Sequence, residues 1–188
     1  LGPLEFRIAP AARGRIKQAL VKAGFPAEDL AGYRDGEPLP IGLRAVTALG
    51  EPFRLRHYQD AAARVFHASG SERGGSGVIV LPCGAGKTIV GLACMSAVGS
   101  STLVLTTGVT ASRQWIAEIL DKTTLHEDQV GEYDGMSKQV RPVTIATYNV
   151  MTWRPKREAD FPHLQLFDRR DWGLIIYDEV HLLPAPVF

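Results

Sequence analysis

The chain has 188 residues, 45% hydrophobic and 22% charged, a globular composition that excludes a disordered chain. Lys and Arg number 21 against 20 Asp and Glu, so the net charge is +1; a basic or acidic tail is excluded, whereas a local patch for nucleic acid is not. The two cysteines, Cys83 and Cys94, make neither a disulfide framework nor a zinc site, and no apolar run is long enough for a bilayer, so a soluble intracellular α/β protein is expected.

The first residue is Leu1, and the last six, Leu183-Pro184-Ala185-Pro186-Val187-Phe188, read as a chain entering a new element. A piece of something longer is expected. Residues 5–8 are apolar enough for a short strand. A helix is expected over residues 10–23, with Ile16, Ala19, Leu20 and Ala23 at helical spacing and Arg13, Arg15, Lys17 and Lys22 mostly off that stripe. Residues 25–52 are rich in Pro and Gly and read as a connector. Residues 58–67 look helical through Ala61, Ala62, Val65 and Phe66, and 69–77 form a Gly/Ser loop.

Regular alternation follows. Residues 78–81 (Val-Ile-Val-Leu) read as a fully buried strand, Lys87–Val98 as a helix, and Thr102–Thr106 as a second strand. A helix over 111–120 turns Trp115, Ile116, Ile119 and Leu120 inward. Val143–Thr147 and Leu174–Tyr177 are the third and fourth strands. Strands alternating with helices imply right-handed crossovers and a mostly parallel sheet.

The strand at 78–81 runs into Pro82-Cys83-Gly84-Ala85-Gly86-Lys87-Thr88, which opens a helix. Strand, glycine loop and helix in that order suit a polyphosphate. Gly84 and Gly86, with Ala85 between them, let backbone N–H groups turn toward it. Lys87 would reach the β- and γ-phosphates, and the Thr88 hydroxyl would join a Mg²⁺ shell. Leu81 stands where the general pattern G-x-x-x-x-G-K-[ST] has its first Gly. The bland alternative is a tight turn with an exposed lysine. Cys83 reads as a small side chain in this loop.

Leu174–Tyr177 ends in Asp178-Glu179-Val180-His181. Both carboxylates then lie at the C-terminal edge of the sheet, which the phosphate loop also leaves. Asp178 suits Mg²⁺ through water, and Glu179 suits polarising an attacking water. His181 alone reads as a loop histidine, since no second His stands at ligand spacing.

Gly84–Thr88 and Asp178–His181 together resemble motifs I and II of superfamily 2 helicases. The Asp-Glu-Val-His form, the Leu-Pro-Cys-Gly-Ala-Gly-Lys-Thr stretch at 81–88, and Pro184-Ala185 soon afterwards are similar to the XPB family of DNA repair helicases, bacterial members above all. The resemblance covers essentially the whole chain. It implies an α/β fold: a RecA-like P-loop NTPase domain with a mostly parallel central sheet flanked by helices. That first motor domain would occupy residues 51–188, behind a small N-terminal appendage and connector in residues 1–50. ATP and Mg²⁺ are the implied cofactors, DNA (single strand or fork) the implied partner, and ATP-driven 3′→5′ unwinding the implied activity of the whole protein.

The same resemblance carries further residues. Leu55-Arg56-His57-Tyr58-Gln59 is similar to the adenine-reading segment, placing Arg56 and Gln59 at the nucleotide, with His57 where the family has Pro. His181 would couple hydrolysis to movement. Thr106-Thr107 and Arg113-Gln114-Trp115 fall where the family meets DNA, and Thr147-Tyr148 matches a later strand-end motif. Thr107, Arg113 and Thr147 are therefore the candidate DNA contacts, suited to phosphates rather than bases. Trp115 reads as core rather than as a stacking platform, and the basic run at 154–157 as a solvated loop. The family further implies a second RecA-like domain that completes the site, a nuclease or repair partner, and a cytoplasmic, nucleoid-associated location with no membrane. Two other readings stay open: a double-stranded DNA translocase of restriction or remodelling type, and a non-catalytic nucleotide-binding module.

Overall fold

The computed structural model describes residues 6–9, 12–25, 35–71 and 74–183. Contacts divide the chain between residues 32 and 33. In the first unit, helix α1 (Arg13–Lys22) occupies the segment expected to be helical. The strand expected at 5–8 is not formed over residues 6–8. Phe6 and Ile8 are exposed, and among the described residues no strand pairs with them; Glu5 lies outside the described residues.

The second unit contains α2 (His57–His67), α3 (Lys87–Val98), β1 (Thr102–Thr106), α4 (Val109–Lys122), β2 (Val130–Tyr133), β3 (Val143–Thr147), α5 (Tyr148–Met151) and β4 (Leu174–Tyr177). The strands form a parallel sheet in the order β2-β3-β1-β4. Thr102 lies opposite both Val143 and Leu174, and Thr106 opposite Thr147, so the strands end together along one edge. Side chains alternate between two cores. Val104, Val143, Ile145 and Leu174 pack with Met95 of α3 and with Trp115 and Ile119 of α4. Leu103, Leu105 and Ala146 face the other way, onto Tyr133, Tyr148, Met151 and Leu166. A sheet covered on both faces explains why its central strands read as unbroken apolar runs.

Three further expectations are corrected. Residues 78–81 form no strand, and Val78 and Val80 are 75% and 86% exposed. They line a cavity of about 680 Å³ together with β4, but among the described residues nothing pairs with them, and a strand needs a neighbour. Residues 35–50, expected in the appendage, belong by contact to the second unit. Leu39 and Ile41 are buried in its core, and Leu43 bridges to Thr123. In α2, Val65 points to solvent and Ala63 is buried instead. β2 is an element that apolar patterning did not announce.

Candidate active site

The loop before α3 bends through Gly84 and Gly86, with φ of +75° and +77°, a left-handed region that glycine enters without strain. A Cβ on Gly86 would fall 2.7 Å from Gln59 Nε2. The Val90 N–H donates to the Gly86 carbonyl (3.3 Å). The amides of the first turn, Lys87 to Ile89, thus precede the helical ladder and carry the partial positive charge of the helix start. Thr88 belongs to that turn.

Lys87 Nζ lies 2.9 Å from Glu179 Oε1. This hydrogen bond, reinforced by charge attraction, raises the Lys87 pKa above its ordinary value and lowers that of Glu179. His181 Nδ1 is 3.5 Å from Glu179 Oε2, and its side chain is largely exposed. Glu179 adopts φ +49° and ψ 50°, a conformation that costs a residue with a Cβ about 1–3 kcal/mol. The lysine and the acidic pair, distant in sequence, therefore meet at one edge of the sheet.

Asp178 is held by three elements. Trp115 Nε1 on α4 donates to Asp178 Oδ2 (2.9 Å). The Asp178 N–H donates to the Leu105 carbonyl at the end of β1 (2.8 Å). Tyr148 Oη on α5 donates to the Asp178 carbonyl (2.8 Å). Burial, with the Asp178 charge second, pushes the Tyr148 phenol far up, so it remains a donor. Trp115 was expected in the core, and it is; its N–H, whose target the sequence did not reveal, is what reaches the acid.

Gln59 and Arg56 act locally. Gln59 is 4% exposed; its Oε1 accepts the Arg56 N–H (2.9 Å) and its Nε2 donates to the Ala85 carbonyl (3.0 Å). Arg56 Nη1 donates to Tyr58 Oη (3.1 Å), which donates to the same carbonyl (2.7 Å). The segment expected at adenine thus grips the phosphate loop at Ala85. Tyr58, for which the motif implies no role, adds its phenol to that grip.

The oxygen donors present, Thr88, Asp178 and Glu179, form a hard set suited to Mg²⁺. Among the described residues no group of three or more His, Cys, Asp and Glu could hold a metal. A cation here would depend on phosphate oxygens as well as carboxylates, as Mg²⁺ usually does.

The candidate DNA residues are spread along the strand ends. Thr107 is half-buried after β1. Arg113 is exposed on α4, with Nε 3.4 Å from Glu132 Oε1. Thr147 is buried, and its Oγ1 accepts the Val150 N–H (3.3 Å) as the cap of α5. Its hydroxyl therefore serves the helix, although Thr147 also lines a cavity of about 580 Å³ beside Gly108 and Asn149.

The parallel sheet with flanking helices has a RecA-like fold. The crystal structure of the UvsW helicase from bacteriophage T4 matches it with a TM-score of 0.54, over 94% of this chain and 63% of that one, at 15% identity; this is a likeness of fold. Residues 52–187 match the family model described as type III restriction enzyme, res subunit, and the chain belongs to that family. It is 56% identical over 181 residues, 96% of its length, to the DNA 3'-5' helicase XPB of Mycobacterium tuberculosis. It is 53% identical over its full length to the protein of the same name from Kineococcus radiotolerans. The chain spans only 31% and 32% of these two relatives. Among the described residues no helix is long and apolar enough to cross a membrane.

Proposed function

We propose that this chain is the first motor domain of an XPB-type, ATP-dependent DNA helicase with 3′→5′ polarity. Lys87 binds the β- and γ-phosphates, with the Gly84–Gly86 backbone around them. Thr88 and Asp178 hold Mg²⁺, the latter through water, and Glu179 polarises the attacking water. Gln59 and Arg56 border the base, and His181 relays the state of Glu179 toward the DNA. DNA lies across the strand ends near Thr107, Arg113 and Thr147. A second RecA-like domain completes the site and supplies an arginine to the transition state. A nuclease or repair partner and a nucleoid-associated setting belong to the same proposal, and the names of the relatives support its helicase core.

The observation that carries it is the 2.9 Å contact between Lys87 and Glu179. A nucleotide's phosphates are the natural replacement for that carboxylate as the lysine's partner. The test is Mg·ATP binding by the chain and by Lys87→Ala. Loss of binding in the variant is expected; equal binding would remove the reading. The family model is described by a restriction enzyme subunit, which favours keeping double-stranded translocation as the second reading. Strand displacement by a protein of the relatives' full length separates the two.

A further inference from the structure

Two of the three tryptophans are tied down inside the second unit. Trp115 donates to Asp178 and Trp172 Nε1 donates to the Leu166 carbonyl (2.9 Å). Trp153 is different: it is 53% exposed. Its ring centroid lies 5.8 Å from that of His163, with the planes at 54°. His163 in turn meets Tyr133 edge-on at 5.6 Å and 77°, and its Nδ1 shares a 2.8 Å hydrogen bond with Tyr133 Oη. An aromatic row thus leads from the buried end of β2 out to solvent.

Trp153 and His163 form part of the wall of the 580 Å³ cavity, together with Gly108, Lys138, Thr147 and Asn149. Gly108 follows β1 and Thr147 ends β3, so the cavity opens at the sheet edge where the candidate DNA contacts fall. Lys138 is the cation in its wall. Lys138 hydrogen-bonds the Asp134 carbonyl and lies 5.3 Å from the Tyr133 ring. Arg154 stands 4.8 Å over the Phe161 ring. Burial, then the charges of Lys138 and Arg169, lower the His163 pKa below its ordinary value, so its ring is neutral at neutral pH. The nearby Asp134 carboxylate is buried and accepts the Met136 and Ser137 amides. An aromatic face beside a lysine, with the neighbouring Asp134 carboxylate engaged by backbone amides, matches a nucleobase and its phosphate.

We propose that this cavity receives one unstacked base of single-stranded DNA, stacked on Trp153 and supported from behind by His163. The proposal rests on the DNA-motor reading and adds to it a base subsite that phosphate contacts at Thr107 and Arg113 do not provide. Stacking accepts every base because every base has a π-face, which suits a motor that moves along any sequence.

The test uses two oligonucleotides of equal length at one low salt concentration. One is a thymidine single strand; the other carries abasic residues throughout, with the same phosphates. The wild-type chain is expected to bind the intact strand roughly tenfold more tightly. Trp153→Ala is expected to abolish that preference while leaving the abasic affinity unchanged, and Trp153→Phe to keep most of it. Equal thermal midpoints for the three chains establish that the exposed site tolerates the changes. If Trp153→Ala retains the preference, or weakens both strands equally, the stacking subsite is wrong and the DNA reading stands. If the wild-type chain binds neither strand, both fall.

Discussion

The indole N–H of Trp115 donates to Asp178 Oδ2 at 2.9 Å, tying the helix after β1 to the acid at the end of β4. Trp115 is 3% exposed and Asp178 is half-buried, so this hydrogen bond is partly sheltered from water. Under the proposed function it fixes the orientation of the carboxylate that meets Mg²⁺. Trp115→Phe keeps most of the apolar area and removes the donor. Hydrogen bonds to charged groups contribute about 1.5–3 kcal/mol, so denaturant unfolding should show a loss of that order. Nucleotide binding should also require more Mg²⁺. A variant with unchanged stability and an unchanged Mg²⁺ titration would show that the bond orients nothing.

Gly91 makes room for the same indole. A Cβ there would lie 2.4 Å from Trp115 Cη2. Alanine is the better helix former by about 1 kcal/mol, so propensity alone predicts a gain for Gly91→Ala. Overpacking typically costs about 1–3 kcal/mol and should win, because Trp115 has the sheet behind it. The expected result is a destabilised chain with the same raised Mg²⁺ requirement. The Gly91→Ala/Trp115→Phe double variant should be less damaged than the sum of the singles, since both act on one contact. Strict additivity would separate the two sites.

Glu179 combines a chemical role with a left-handed backbone. Glu179→Gln and Glu179→Gly both remove the charge that faces Lys87, so the difference between them reports the backbone. Glycine relieves about 1–3 kcal/mol of strain but adds freedom to the unfolded chain, about 0.5–1 kcal/mol. Glu179→Gly should therefore unfold at higher denaturant than Glu179→Gln. Both should still bind Mg·ATP, since Lys87 is released rather than lost. In a full-length protein both should hydrolyse it about 10²–10⁴-fold more slowly, the usual contribution of a general base. Turnover near wild type in Glu179→Gln would move the base elsewhere.

The bounds of α3, β1, β3 and β4 could be read from the chain because each is a largely apolar run of suitable length; glycine or charge bounds α3 and β4, Ser101 and Thr107 bound β1, and Pro142 opens β3. The same logic failed at residues 78–81, whose composition matches that of the true strands. Strand composition describes a surface that can be buried, whereas a strand exists only beside another one. β2 escaped for the opposite reason: Gly131 and Glu132 break its pattern, and pairing with β3 decides its state. Within the site, residue types and spacing placed Lys87, Asp178 and Glu179 at one edge. They could not disclose that Gln59 is committed to Ala85, or that a core tryptophan reaches Asp178. Burial follows from a side chain's chemistry, but the target of its one polar atom depends on how separate elements dock.

The Lys87–Glu179 pair sets a pH window. The Glu179 pKa is lowered, so its contribution is present above the unfolded carboxylate value and is lost as pH falls through the folded one. The Lys87 pKa is raised, so its contribution is present below the unfolded lysine value and is lost as pH rises through the folded one. The difference in stability between wild type and Glu179→Gln should thus be flat across neutral pH and vanish in acid. The difference should be small, because the pair is half-exposed, and should shrink in salt. A difference that persists unchanged into strong acid would assign it to side-chain contacts other than the ion pair.

β4 is hydrogen-bonded to β1, and among the described residues its other edge has no strand beside it. Ile175 and Tyr177 are partly exposed along it, and Val78 and Val80 add apolar surface at the same cavity. An open edge with apolar side chains recruits another strand, and natural sheets commonly block such edges with lysine. The 188-residue chain should therefore self-associate as its concentration rises. Ile175→Lys or Val80→Lys should shift sedimentation toward monomer without lowering the unfolding midpoint, because neither side chain is in the core. Lysine at exposed Val65, on the outer face of α2, should leave association unchanged and serves as the control for added charge. A wild-type chain that sediments as monomer at every concentration would mean that the loop at 78–81 shields the edge well enough by itself.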